Sequence, residues 1–161
     1  MCIFNIIVSK GILMLIISHR ANLNGPDPFL ENTVEAINFC LAKNIQVEID
    51  VWYKHNGLFL GHDEPKNPVG IDFIKENYAM LWVHCKNFEA LNYFSNHKEI
   101  NYFWHENDKF TLTSQNIIWT YPEQTVGEKS VIVCQTLEQT EKYFTADCWG
   151  ICTDYVNEFL N

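Results

Sequence analysis

The sequence predicts an α/β fold: a parallel sheet rolled into a compact (β/α)8-type barrel, with some helices reduced or replaced by loops. Three observations predict it. Residues 13–18 (LMLIIS), a continuous apolar run rich in β-branched residues, read as a strand buried on both faces, 130–134 (SVIVC) as another buried strand, and 80–85 (MLWVHC) as a strand. Helical patterns follow several of them after a polar loop, so the order strand, loop, helix, strand recurs. Seven or eight strands stand against only four or five helices. Barrels of this type use about 250 residues, and this chain has 161. The shortfall falls on helices, which loops on one side must replace. An open doubly wound sheet is the alternative, but no glycine-rich phosphate loop follows any strand.

The elements run as follows. Residues 1–17 are almost wholly apolar, with Lys10 the only charge. Asn5, Ser9, Lys10 and Gly11 interrupt the run, and no basic segment precedes it. It therefore reads as two strand-like pieces, 3–8 and 13–18, rather than as a secretory leader or a membrane helix. The whole chain, 1–161, reads as one domain. Met14 is an alternative start, which makes residues 1–13 an extension not essential to the fold.

A polar loop leads to a helix capped at Asn32 or Thr33, with Val34, Ile37, Phe39, Cys40 and Leu41 on its apolar side. Residues 45–52 (IQVEIDVW) form a strand that alternates: Val47, Ile49 and Val51 on one face, Glu48, Asp50 and Trp52 on the other. Asn56-Gly57 signals a hairpin returning through 58–60. A short helix is expected over 71–77, a strand over 80–85, and a helix over 88–96 with Phe88, Leu91 and Phe94 facing the core. Strands follow at 101–105, 116–121, 130–134 and 149–153, with a helix over 137–144 before the last. No helical pattern lies between His105 and Ile117.

Composition excludes some functions. With 47% hydrophobic and 19% charged residues, the chain has no disordered or low-complexity tract. The formal net charge of -9 argues against a nucleic-acid partner. No stable membrane insertion is expected. The six cysteines form no CxxC pair and no zinc-knuckle spacing, so they read as reduced, buried thiols of a cytoplasmic protein.

Polar residues gather where the predicted strands end: His19-Arg20, Glu48 and Asp50, His62-Asp63, His84 and Lys86, His105-Glu106, and Thr153-Asp154. Four of the six histidines fall at such ends, and in a barrel those ends form the active face. Glu48 and Asp50 point to the same side of one strand. Turned inward, two carboxylates repel and lose hydration. A hard divalent cation compensates them, or an ion pair with Arg20 or Lys86. His19 and His62 suit general acid–base work near neutral pH, while Arg20 and Lys86 can hold phosphate oxygens. Phosphodiester cleavage needs all of these parts.

Together these residues resemble the glycerophosphodiester phosphodiesterase family, within the phospholipase C-like phosphodiesterase TIM barrels. That family opens with a strand ending in His-Arg-Gly, then Glu-Asn-Thr, a strand with Glu-x-Asp, and His-Asp. Here His19-Arg20-Ala21, Glu31-Asn32-Thr33, Glu48-Ile49-Asp50 and His62-Asp63 stand in that order. Residues 15–63 carry most of the match, and 87–147 match weakly. The resemblance implies a metal-dependent hydrolase that cleaves a small-molecule phosphodiester to an alcohol and a phosphomonoester. By position, His19 and His62 correspond to the acid–base pair, and Arg20 and Lys86 to the phosphate-binding cations. Glu48 and Asp50 correspond to ligands of a divalent ion, with Mg²⁺ or Ca²⁺ expected. Glu31 is a further candidate ligand or a partner for Arg20. Ala21 departs mildly from the family glycine. His84 stands where a third carboxylate ligand is expected. Imidazole suits Mg²⁺ and Ca²⁺ poorly, which brings in Mn²⁺ or Zn²⁺, or Glu106 as a substitute ligand.

Two other readings use the same residues. A lyase would let a substrate hydroxyl attack phosphorus and give a cyclic phosphate. A non-catalytic barrel would only bind a phosphorylated ligand.

Overall fold

The computed structural model describes residues 6–9 and 12–160. Strand β1 (Ile6–Ser9) pairs antiparallel with the first residues of β2 (Ile12–His19). Part of the strand expected over 3–8, Cys2 and much of the 1–13 extension lie outside the described residues. Helix α1 (Val34–Ala42) follows, then β3 (Gln46–Lys54), β4 (Gly57–Leu60), β5 (Asn67–Val69) and α2 (Ile71–Glu76). Next come β6 (Leu81–Cys85), α3 (Phe88–Phe94), β7 (Asn101–Trp104), β8 (Phe110–Leu112) and β9 (Ile118–Thr120). Strand β10 (Ser130–Cys134), α4 (Leu137–Tyr143), β11 (Gly150–Thr153) and a 3-10 turn at Val156–Glu158 complete the chain.

The eleven strands form one sheet. Seven of them run parallel in the spatial order β7, β6, β3, β2, β11, β10, β9. The hairpin β3–β4–β5 and the pair β8–β9 add antiparallel arms. The sheet curls until its two ends meet through side chains. Phe103 on β7 stacks on Trp119 of β9 with ring centroids 4.5 Å apart, and Trp82 on β6 lies 5.8 Å from the same ring.

Among the described residues the sheet follows the barrel path expected from the sequence without a complete closed ladder. Among the described residues no ladder joins β7 to β9. Ser114, in the loop between β8 and β9, spans the gap instead. Its N–H donates to the Tyr102 carbonyl, and its hydroxyl accepts from Tyr102 N–H and donates to the Ile100 carbonyl. As expected, no helix lies on this side; β8 and plain loops stand where the helices would.

Strand alternation makes two packing layers. Outward residues Ile16, Val47, Ile49, Val51, Val83 and Cys85 pack under α1, α2 and α3. Met14, Ile132, Cys134 and Ile151 form a separate outer cluster with Tyr143 of α4. Inward residues Leu15, Ile17, Trp82, Phe103, Trp119, Val131, Val133 and Cys152 fill the interior. The cores of α1 and α3 are narrower than the sequence predicts. Ile37 and Cys40, and Ala90 and Phe94, are buried, but Phe39 is 56% and Phe88 69% exposed. Val34, Leu41 and Leu91 pack partly buried against the same core, and those two rings fall outside the packed stripe.

The five described cysteines, Cys40, Cys85, Cys134, Cys148 and Cys152, are free and buried. Burial pushes the thiols of Cys85 and Cys134 up to about 12, which leaves them protonated and inert. Among the described residues, no helix is long and apolar enough to cross a membrane.

Candidate active site

Parallel strands aim their last inward residues at one rim. A cavity of about 530 Å³ opens there, lined among others by His19, Arg20, Glu48, His62, His84 and Lys86. His105, Trp104, Tyr121 and Gln135 also belong to its wall. All four histidines at strand ends therefore face one space. A larger cavity of about 740 Å³ opens at the opposite rim, against Leu15, Trp82, Ile117 and Trp149, but its lining holds no histidine, lysine or arginine. The groups able to move protons or hold phosphate lie at the C-terminal rim.

Register places the acids. Glu48 lies beside His19 on β2, and Asp50 beside His84 on β6. Both carboxylates are 1% exposed. The loop after β2 is built around them. Arg20 and Ala21 take positive φ values of 55° and 69°, a conformation that explains a glycine preference at the second position. Arg20 N–H donates to the Glu48 carbonyl. Asn32, also at positive φ, clamps Asp50 from two sides. Its Nδ2 donates to Asp50 Oδ2 at 2.9 Å and its Oδ1 accepts Asp50 N–H at 3.0 Å. Thr33 next to it caps α1 by accepting the Ala36 N–H.

Three cations answer the two acids. Arg20 Nε lies 3.2 Å from Asp50 Oδ2, Lys86 Nζ 3.5 Å from Asp50 Oδ1, and His84 Nδ1 2.9 Å from Asp50 Oδ1. His84 Nδ1 is also 3.5 Å from Glu48 Oε1. Burial by itself raises a carboxyl, but His84, Lys86 and Arg20 outweigh it and hold Asp50 well below the usual carboxylate range. Burial works against charge on His84 too, yet Asp50 and Glu48 push its imidazole up to about 9. These contacts are oppositions of charge rather than aligned hydrogen bonds: Asp50 Oδ1 and Arg20 Nε are both buried without a hydrogen-bond partner.

Glu48, Asp50 and His84 each offer one donor atom, and these atoms lie within 4.8 Å of one another. With the orphaned Asp50 oxygen among them, the set fits a divalent cation. Glu31 is not in that group. It lies 3.5 Å from Arg20 Nη1 and accepts from Asn22 Nδ2. Glu106 lines the cavity but is not in the donor group either.

The two other histidines each have a carboxylate of their own. His19 Nδ1 meets Asp154 Oδ1 at 3.0 Å, and Asn22 Nδ2 donates to the same oxygen at 2.8 Å. Burial opposes charge on His19, but Asp154 and Glu48 prevail and its imidazole is raised. His62 Nδ1 meets Asp63 Oδ1 at 2.6 Å. His62 reaches the cavity from the β4 end because of Gly61. That glycine has φ +147°, and a Cβ there would lie 2.1 Å from the Glu64 carbonyl oxygen. Trp52 Nε1–H holds the Gly61 carbonyl at 2.6 Å.

Sequence reasoning left Asp154 and His105 with no role beyond their places at strand ends, and offered Asn32 only as an alternative cap to Thr33, which is the residue that caps α1. Asp154 was visible as one more strand-end acid, and Asn32 as the middle of Glu31-Asn32-Thr33. Their partners lie too far away in the chain for spacing to reveal. His105 is 9% exposed, and neither ring nitrogen has a partner. Burial and the neighbouring charges of His84 and Lys86 lower its pKa.

No family model matches the sequence, and no curated protein matches it. Solved structures do match the fold. The glycerophosphodiester phosphodiesterase of Agrobacterium tumefaciens str. C58 superposes with a TM-score of 0.56 at 13% identity, over 91% of this chain and 99% of that one. A proposed glycerophosphodiester phosphodiesterase from Galdieria sulphuraria gives a TM-score of 0.60 at 14% identity, over 94% and 98%. A glycerophosphoryl diester phosphodiesterase from Parabacteroides distasonis gives 0.51 at 12%, over 91% and 84%. The fold is thus of the class found in glycerophosphodiester phosphodiesterases. At these identities the likeness speaks for the fold alone.

Proposed function

We propose that this protein is a metal-dependent phosphoric diester hydrolase of the glycerophosphodiester phosphodiesterase kind, acting on a small-molecule phosphodiester. One observation carries the reading. Glu48 lines a cavity whose wall also holds two histidines, each with a carboxylate at its Nδ1, while buried Asp50 stands behind that wall against Arg20 and Lys86. A merely structural ion cluster has no use for those two histidines.

Each residue then has a task. Glu48, Asp50 and His84 would hold the divalent ion, which offsets charge on the phosphate oxygens when bound. Arg20 and Lys86, both on the cavity wall, bind the phosphate. His19 acts as the acid. Its Nδ1–H is held by Asp154, and Asp154 and Glu48 raise its pKa against the opposing effect of burial, which favours the proton that Nε2 must donate. His62, fixed through Asp63, accepts a proton from water. The water oxygen bonds to phosphorus, the bond from phosphorus to the leaving oxygen breaks, and His19 protonates that oxygen. The products are an alcohol and a phosphomonoester.

The test is hydrolysis of bis(p-nitrophenyl) phosphate by the full chain, with and without EDTA and with Mg²⁺, Ca²⁺, Mn²⁺ or Zn²⁺ restored. EDTA should abolish turnover and one or more ions should restore it. Absence of turnover with every ion would leave only the binding role. Phosphorus NMR of the products from a diester bearing a neighbouring hydroxyl separates hydrolase from lyase by the open or cyclic phosphate.

A further inference from the structure

We infer that the Glu48–Asp50–His84 group is a nitrogen-containing site that selects a first-row transition ion, Mn²⁺ or Zn²⁺, over Mg²⁺ and Ca²⁺, with His84 Nδ1 as the discriminating ligand. The inference rests on the phosphodiesterase reading only in taking this group to hold an ion.

Four features of the structure support it. First, the donor atoms are spaced as ligands sharing one ion. Bonds of about 2.0–2.2 Å from imidazole or carboxylate to such an ion put neighbouring donors about 3 to 3.5 Å apart. His84 Nδ1 lies 2.9 Å from Asp50 Oδ1 and 3.5 Å from Glu48 Oε1. Second, Asp50 Oδ1 is buried and accepts no hydrogen bond although His84 Nδ1 is so near. The two atoms face each other off line, and Lys86 Nζ stands 3.5 Å from the same oxygen without a hydrogen bond, so the oxygen's lone pairs stay open to an ion that displaces the Nδ1 proton.

Third, the far side of the His84 ring is tied. Nε2 lies 2.9 Å from the backbone carbonyl oxygen of His105, an acceptor only, so this nitrogen keeps its hydrogen and Nδ1 is the one that can give up its proton to an ion. Metal-binding histidines are commonly anchored in this way. The ring plane is fixed as well, stacked on Phe103 at 5.0 Å and 8°. A histidine that merely filled space would not need both restraints. Fourth, the adjoining wall offers nitrogen too: the His105 ring is buried, its centroid 6.2 Å from that of His84, with neither nitrogen engaged.

Ca²⁺ and Mg²⁺ favour oxygen donors, and imidazole is a poor exchange for carboxylate with either. A site of two carboxylates and one oriented imidazole suits Mn²⁺ and Zn²⁺. Oxygen-only sites also bind Zn²⁺ more tightly than Mg²⁺. The deciding quantity is therefore how the preference changes when His84 alone is exchanged.

The experiment uses EDTA-stripped full-length protein and calorimetric titration with each of the four ions, on wild type, His84→Glu and His84→Gln. Circular dichroism and melting confirm that each variant is folded. Wild type should bind Mn²⁺ and Zn²⁺ about 100-fold more tightly than Mg²⁺ and Ca²⁺. His84→Glu should shrink that ratio at least about tenfold, by gaining alkaline-earth affinity and losing Zn²⁺ affinity. His84→Gln should lose affinity for Zn²⁺ most. Pulsed electron paramagnetic resonance of the Mn²⁺-loaded protein should show coupling to a directly bound ¹⁴N, absent in His84→Glu. Wild type that binds no ion, or that binds Mg²⁺ or Ca²⁺ as tightly as Mn²⁺, overturns the inference. So does a ratio unmoved by His84→Glu, or a Mn²⁺ signal without nitrogen coupling. Failure of the phosphodiesterase reading looks different: normal ion binding with no hydrolysis of any diester.

Discussion

The contact between His19 and Asp154 offers the sharpest probe of the acid–base assignment. Asp154 is 4% exposed, and its Oδ1 receives both His19 Nδ1–H and Asn22 Nδ2–H. Asp154→Asn keeps the shape and removes the charge. A hydrogen bond to a charged group contributes about 1.5–3 kcal/mol. If the imidazolium of His19 develops that full interaction in the working enzyme, kcat falls about 10- to 150-fold. A second effect fixes the role. Asp154 helps hold the His19 pKa up, so its neutralisation lowers that pKa. An acid must be protonated to work, so the alkaline limb of the rate profile should move to lower pH. A base would show its change on the acidic limb instead. The assay is the initial rate of bis(p-nitrophenyl) phosphate hydrolysis from pH 5 to 10, with melting as the control for folding. A folded Asp154→Asn variant with wild-type kcat and an unmoved alkaline limb would refute the assignment of His19 as acid.

Other outcomes follow from the same geometry. His62→Ala should remove most turnover while leaving melting unchanged, since its side chain is 36% exposed and carries little packing; near-wild-type rates would exclude it as the base. Gly61→Ala places a Cβ 2.1 Å from the Glu64 carbonyl oxygen, which should cost about 1–3 kcal/mol in urea unfolding and lower kcat by displacing His62. Trp119→Ala opens the interior where Trp82 and Phe103 meet and should cost about 3–5 kcal/mol in the same measurement. In EDTA, His84 gives a pH dependence of known sign. Its folded pKa of about 9 lies above the ordinary 6.5, so its contribution is complete below 6.5 and is lost as pH rises through 9. Urea unfolding should show roughly 2 kcal/mol of lost stability between pH 6.5 and 8.5, and His84→Gln should flatten that slope.

Much of the fold was legible because local pattern and tertiary role coincide. Ser130–Cys134 is apolar from Val131 onward and forms a strand buried on both faces. Thr33 reads as a cap and caps. Where the pattern is short or the cause remote, reading failed. β5 is Asn67-Pro68-Val69 and exists through pairing with β4. β8 exists through pairing with β9. The missing closure rests on three hydrogen bonds of one serine, Ser114, which no periodicity announces. Phe39 and Phe88 were apolar at helical spacing and still ended in solvent, because the helices over β2, β3 and β6 need only one narrow stripe.

The candidate site was legible for a different reason, and that reason makes it fragile. Alternation in β3 separates Val47, Ile49 and Val51, which pack under the helices, from Glu48, which lines the cavity, and Asp50, which joins Glu48 and His84 in the donor group. The same alternation puts His19 and His84 inward on the neighbouring strands. Parallel pairing on both sides, His19 with Glu48 and Asp50 with His84, then brings the four groups level. A slip of one residue in β3 would turn Val47, Ile49 and Val51 into the cavity and drive two carboxylates beneath the helices. The outer apolar layer excludes that register. The side chains that do no chemistry therefore determine where the reactive ones stand, and a core substitution such as Ile49→Asp should abolish the site by weakening the preference for this register.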